Sequence, residues 1–330
     1  VRSAAAALVL TIAGTAWAGD PVELTAAVGG DEAGAERSVL VGSSGQLYYR
    51  ADDALVWRRE QVGGLAAKVS GALRVGRTIV AVGERTPVYR WGGQAWSARP
   101  LGNRGSTTVA GAGGKTAFAV GRHIYVRRGK RWIRMTSAPR QIVALWLGGG
   151  SRIYAADDKG GLRRRSGGVW RQVPTKLATD ETIVQLAGTP GKELYARTSA
   201  GGVLQVRTSG ATPLTLDPSV QGLRPTTIAP ASEGGVWVVG EIDADAGSQW
   251  VLAHATGGSA KAVRPLPVPA AGDRYTIVRA GDDGSLLIAS TRGRVLVRAA
   301  SGSWSEGSVS GKLPPSATRT FPEAAPARAR

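Results

Sequence analysis

The stretch IYAADDKGGLRRRSGGVW at 153–170 places two short strands around a Gly-containing turn, ends the second in arginine, and reaches a tryptophan after one more turn. The same order recurs along the chain. LYYR at 47–50 leads to Trp57, VYR at 88–90 to Trp96, IYVR at 124–127 to Trp132 and VLVR at 295–298 to Trp304. Weaker copies, VLQVR at 203–207 and WVLAH at 250–254, run on to Thr212 and Lys261 without a tryptophan. The unit repeats about every 36–50 residues with four short strands each, which is the signature of a β-propeller. The pattern predicts an all-β fold, a seven-bladed β-propeller of four-stranded antiparallel blades.

Apolar runs and turn dipeptides divide the chain into seven units: Val22–Val62, Ala66–Leu101, Ser106–Ser137, Gln141–Leu177, Thr182–Leu216, Thr226–Pro265 and Tyr275–Val309. First strands are followed by Gly-containing turns, such as TPGK at 189–192 and DDGS at 282–285, because glycine takes positive φ at little steric cost. A sheet of this kind cannot bury both faces alone, so the units must pack on one another and close into a ring. The first strand of unit one comes first and the fourth strand of unit seven last. Closure is therefore expected from face-to-face packing of these two units, with no interleaved strand. PLPVP at 265–269 reads as a polyproline-like connector.

The expected organisation is a signal peptide over 1–18, a single propeller domain over 19–313, and a Pro/Ala/Arg tail over 314–330 that has little to bury and should be disordered. Arg2 gives a basic start, Ala4 to Ala13 an apolar stretch too short to span a bilayer, and Ala16-Trp17-Ala18 a small-x-small site before Gly19. The expected address is periplasmic or extracellular, with no transmembrane segment once the signal is removed. With no cysteine, neither a lipid-modified cysteine nor a disulfide or thiolate metal site is available.

Forty-two Lys and Arg against twenty-four Asp and Glu leave a net charge of +18, or +17 without Arg2. Such a charge attracts polyanions. In the cytoplasm nucleic acid would head the list. For an exported protein the expected partner is instead an acidic protein or an anionic envelope glycan or lipid surface, with no nucleic acid. The repeated basic position, Arg50, Arg90, Arg127, Arg165, Arg207, His254 and Arg298, could set a ring of cations near one rim. Arg163 and Arg164 make the run at 163–165 the densest. The alternative is that each lies over a neighbouring Trp or pairs with local backbone carbonyls.

Ten Trp against two Phe fit one indole per unit, packing into the taper between adjacent blades. A ring of sugar-stacking indoles, as a lectin needs, is the competing reading. The Asp pairs 52–53, 157–158 and 282–283 fall in turns, where Asp is at home without any chemistry. His123 and His254 sit on different units, which argues against a zinc site. GAGG at 111–114 precedes a strand rather than a helix and so is not a phosphate loop.

The 153–170 stretch resembles the repeats of the sialidase-like and photosystem-assembly-factor-like propellers. Those repeats follow the Arg-ended strand with an Asp-box of the form Ser-x-Asp-x-Gly-x-Thr-Trp. Unit one keeps its spacing, with Arg50 in the Ser place, Asp52 in the Asp place, Ala54 for Gly, and Trp57. The repeat is also similar to that of tectonin-like lectin propellers. The resemblance implies a binding or assembly role. Sialidase activity in that family needs an arginine triad, a Tyr–Glu pair and an acid Asp, and no such set can be placed here. The expectation is a monomeric, non-catalytic envelope binding module or assembly factor without a cofactor, docking an acidic partner on a basic face. The alternative is a carbohydrate-binding or glycan-processing propeller.

Overall fold

The computed structural model describes residues 22–29, 38–50, 56–59, 68–75, 78–83, 88–91, 96–99, 106–112, 115–129, 131–148, 152–244 and 247–312. The signal-peptide, tail and Asp52-Asp53 readings lie outside the described residues. Apart from a 3-10 turn at Pro218–Val220, the regular structure described is strand.

Each unit forms an antiparallel meander. Unit four shows it plainly: Ile142–Leu147, Ile153–Asp157, Leu162–Ser166 and Val169–Val173 pair in sequence order. The first strands contact one another around the molecule in chain order, and Leu24–Val28 also contacts Tyr275–Ala280, so the ring is closed. Between units five and six a side chain supplies the stitch. Gln185 donates to the Ile228 carbonyl at 2.8 Å and accepts the Ile228 N–H at 3.1 Å.

Strands such as VLVG and TIVAVG read as unbroken apolar runs because both of their faces are buried. Alternation then sends successive residues to opposite neighbours. In unit one, Val39, Val41, Leu47 and Tyr49 pack against Val69, Ile79 and Ala81 of unit two. Leu40, Tyr48 and Trp57 face the other way, onto Ile277, Leu287, Val295 and Val297 of unit seven. Each junction around the ring has such a cluster. The core is therefore divided among the interfaces.

The expected closure is incomplete in one respect. Units one and seven do pack face to face, but the last described strand, Trp304–Lys312, pairs with Arg294–Arg298 on one side and also, in parallel, with Val56–Arg59 of unit one. The two units share one eight-stranded sheet, so the described strands form six sheets rather than seven separate blades. Thr215–Leu216, which sequence reading missed, does the same after unit five, adding in parallel to Ser259–Leu266 of unit six. That strand also takes in Pro265 and Leu266, leaving only the end of PLPVP as connector.

Asp273 ties the entry of unit seven's first strand to the turn after its second. Its Oδ1 accepts the N–H groups of Arg274 and Arg292 at 2.9 Å and the Thr291 hydroxyl at 2.7 Å. Burial alone would raise this carboxyl, but the hydrogen bonds from Ser290, Thr291, Arg292 and Arg274 together outweigh it and hold the pKa below the usual value. A depressed folded pKa contributes stability above the unfolded value of about 4, lost as pH falls through the folded value. Asp273→Ala is expected to cost about 2–3 kcal/mol at pH 7, the scale of hydrogen bonds to a charged group. Denaturant midpoints of parent and variant should converge as pH drops below about 4. A constant difference down to acid pH would assign the effect to packing.

Candidate functional site

Every first strand carries one extra residue near its start, seen as a gap in the pairing with the second strand. These residues are Thr25, Ser70, Thr107, Val143, Val184, Thr226 and Thr276. Bulges re-aim side chains at the rims of sheets, and here all the bulged residues are uncharged. At this end of the ring Arg224 is exposed, and its guanidinium is paired with Asp243.

The opposite end, where third strands finish, holds the repeated basic position. In four units this residue stands directly across the ladder from the tryptophan: Arg50 from Trp57, Arg127 from Trp132, Arg165 from Trp170 and Arg298 from Trp304. Directly opposed residues of an antiparallel pair have their Cβ atoms about 5 Å apart, on the same face of the sheet. The polar atoms also find local acceptors. Arg127 Nε donates to the Gly129 carbonyl at 2.9 Å, and Arg298 Nη1 to the Gly284 carbonyl at 3.1 Å. His254 Nε2 lies 3.0 Å from the Gly234 carbonyl, with its ring tilted against Trp237. Arg207 is exposed, Arg50 and Arg164 are half-buried, and the side chain of Arg90 lies outside the described residues. Arg163 Nε sits 3.6 Å from the buried Asp157 carboxylate, and the Nε atoms of Arg163 and Arg165 are both buried. Spread one per unit, these residues are not brought together at a single point.

The tryptophans join neighbouring pieces of the ring through their N–H groups. Trp57 donates to the Ser38 carbonyl at 3.1 Å, Trp96 to Gly45 at 2.9 Å, Trp170 to Ser137 at 2.9 Å and Trp146 to Gly188 at 2.9 Å. Trp57 is fully buried, and Trp132 meets Phe118 edge-on at 4.7 Å. These indoles are engaged in packing, which favours the structural reading over sugar stacking.

The Asp residues serve turns in the same way. Asp157 Oδ1 accepts the N–H of Lys159 at 3.0 Å and of Gly161 at 2.9 Å, while Asp283 Oδ1 accepts the N–H and hydroxyl of Ser285. Among the described residues no group of three or more His, Asp or Glu is placed to hold a metal.

A cleft of about 260 Å³ opens between units four and five beside Arg207, lined also by Trp146, Tyr154, Arg152, Glu193 and Gln205. Its one carboxylate is already engaged. Glu193 accepts from the Tyr195 hydroxyl at 2.7 Å, Gln205 Nε2 at 3.0 Å and the Gly257 N–H at 3.0 Å. Burial first, then Glu193, raises the Tyr195 hydroxyl well above its usual value. The group braces unit five against the 256–258 turn of unit six.

What remains distinctive is where the charge lies. Between Glu84 and Asp157 the sequence has no Asp or Glu at all. Residues 85–176 contain nineteen Lys and Arg against two acids, whereas the other 238 residues hold twenty-three against twenty-two. Virtually the whole net charge therefore sits on the later part of unit two and on units three and four, which adjoin through one shared cluster. Arg122, Arg128, Arg131, Arg134, Arg140 and Arg171 are exposed there. One of the sector's two acids, Asp157, is already met by Arg163. Sequence reading noted the 163–165 run but not the acid-free stretch around it, although a running charge count would have found it.

No protein-family model and no curated protein matches this sequence. Solved structures do. YCF48 bound to D1 peptide is similar at 16% identity and a TM-score of 0.62, covering 90% of this chain and 96% of that one. The WD40 β-propeller domain of Doa1 matches at 11% and 0.64, over 90% and 97%. A streptogramin B lyase matches at 14% and 0.61, over 82% and 92%. At such identities the likeness speaks for architecture alone, and together with the closed ring of meanders it makes this chain a β-propeller.

Proposed function

We propose that this propeller is a non-catalytic protein-binding module that docks an acidic partner protein on the basic sector of units two to four. The observation that carries the reading is the confinement of virtually all net charge to residues 85–176. A charge distribution spread for solubility would not leave 238 residues close to neutral and one flank acid-free. The solved YCF48 complex, whose partner is a peptide, supports protein binding as the kind of role such a ring can fill. The repeated arginines behind the tryptophans contribute mainly to the blades, and the exposed cations of units three and four supply the docking face. Retention on an immobilised acidic peptide should fall steeply as salt rises. Retention indifferent to salt would remove the reading.

Export belongs to the same proposal. The Ala16-Trp17-Ala18 site gives a mature chain starting at Gly19. N-terminal sequencing of protein recovered from the envelope or medium checks it. Recovery in a membrane fraction with Leu8–Ile12 intact would contradict it.

A further inference from the structure

We propose that the outer edge of unit three, the strand Arg131–Ser137, receives an extended acidic segment of the partner as an added parallel strand. The inference rests on the docking reading above and specifies its geometry.

The fold itself shows that its outer strands accept parallel neighbours. Thr215–Leu216 lies against Ser259–Leu266, and the end of Trp304–Lys312 lies against Val56–Arg59. These additions cover the outer edges of units one, six and seven. Among the described residues, four outer strands still end their sheets: Trp96–Arg99, Arg131–Ser137, Val169–Val173 and Gly210–Pro213. Arg131–Ser137 is the longest at seven residues, whereas Gly210–Pro213 is short and carries a proline, which cannot donate to a ladder. An unpaired edge presents a row of N–H and C=O groups ready for another strand.

The side chains on this edge select the occupant. Charge alone would suffice to blunt an edge against aggregation. Here Ile133, 43% exposed, shares one face of the strand with exposed Arg131, exposed Arg134 lies on the other face, and Val169 on the neighbouring edge is 57% exposed. A cation on each face, with an exposed apolar residue beside one of them, fits a strand that carries both acidic and apolar side chains. With no Asp or Glu between Glu84 and Asp157, the sequence offers no carboxylate from unit three or the end of unit two to neutralise these arginines. An acidic strand added to this edge would supply the carboxylates that this flank lacks.

The probe is a fluorescein-labelled peptide alternating Glu with Val and Thr, compared with two twins N-methylated on alternate amides in either phase. The twins keep the charge and each loses half of its amide donors, but only one phase removes the donors that point at the edge. The parent peptide should bind at low salt, and one twin should bind about tenfold more weakly. Hydrogen exchange at the backbone amides of 131–137 should slow when the parent peptide is present. Arg131→Glu with Arg134→Glu should weaken binding at least as much, with an unchanged far-ultraviolet spectrum showing that the fold is retained. If both twins bind like the parent and the 131–137 amides exchange unchanged, strand addition is wrong although salt-sensitive docking stands. If the parent peptide fails to bind even at low salt, both ideas fall.

Discussion

Trp57→Ala is expected to destabilise the protein by about 3–5 kcal/mol, the usual cost of truncating a buried aromatic side chain. Trp57 is fully buried in the cluster that joins unit one to unit seven, and its indole N–H donates to the Ser38 carbonyl. Its strand also carries the parallel pairing with Trp304–Lys312, Val309 standing opposite Trp57. Truncation would open a cavity at the one junction where the ring closes on itself and leave the Ser38 carbonyl without this donor. A fall in melting temperature of about ten degrees follows for a chain of this size. Trp304, half-buried with the Arg264 guanidinium 4.6 Å above its ring, should cost visibly less when truncated. A Trp57→Ala protein that melts like the parent would mean that the first and last units are not held together through this seam.

Reversing Arg128, Arg131 and Arg134 to Glu is expected to reduce affinity for an acidic peptide by at least tenfold while leaving the melting temperature nearly unchanged. All three side chains are exposed, so their removal takes no packing from the blades. Charges exposed to solvent are screened over about 10 Å at 0.1 M salt, so the parent's affinity should fall steeply with ionic strength and the variant's much less. The run Arg163–Arg165 is a poorer target, although it is the densest in the sequence. Arg163 faces the buried Asp157 carboxylate and the Nε atoms of Arg163 and Arg165 are buried. Glutamate at 163 would set two carboxylates against each other and damage the fold, confounding any loss of binding.

The fold was legible because a propeller repeat writes itself into the chain several times over. Unit five illustrates this: IVQLAG, ELYART and VLQVRT correspond to strands Ile183–Gly188, Leu194–Thr198 and Val203–Arg207. The parallel additions at Thr215–Leu216 and at the end of Trp304–Lys312 were not legible. They lack a periodic signal of their own, and they exist because a neighbouring unit offers an open edge. The bulge residues escaped for a related reason. One extra residue such as Val143 or Val184 leaves the apolar pattern intact and shows only in the pairing. For the candidate site, the sequence marked arginine as the recurring chemistry. It could not tell that Arg127 and Arg298 would turn to backbone carbonyls while Arg131 and Arg134 stayed exposed, because that depends on the first pair lying on inner third strands and the second on an outer edge strand.

The central claim is that position, and not net charge, makes the docking face. The most direct measurement is a set of binding isotherms for one labelled acidic peptide against three proteins at the same low salt. These are the parent, the Arg128/Arg131/Arg134 reversal, and a reversal of Arg207, Lys261 and Arg274, which are exposed cations outside the basic sector. Both variants change the net charge by the same amount. Affinity lost in the first variant and kept in the second is the predicted result. Equal losses in the two would show that the peptide senses only the overall charge, and would contradict a docking face on units two to four.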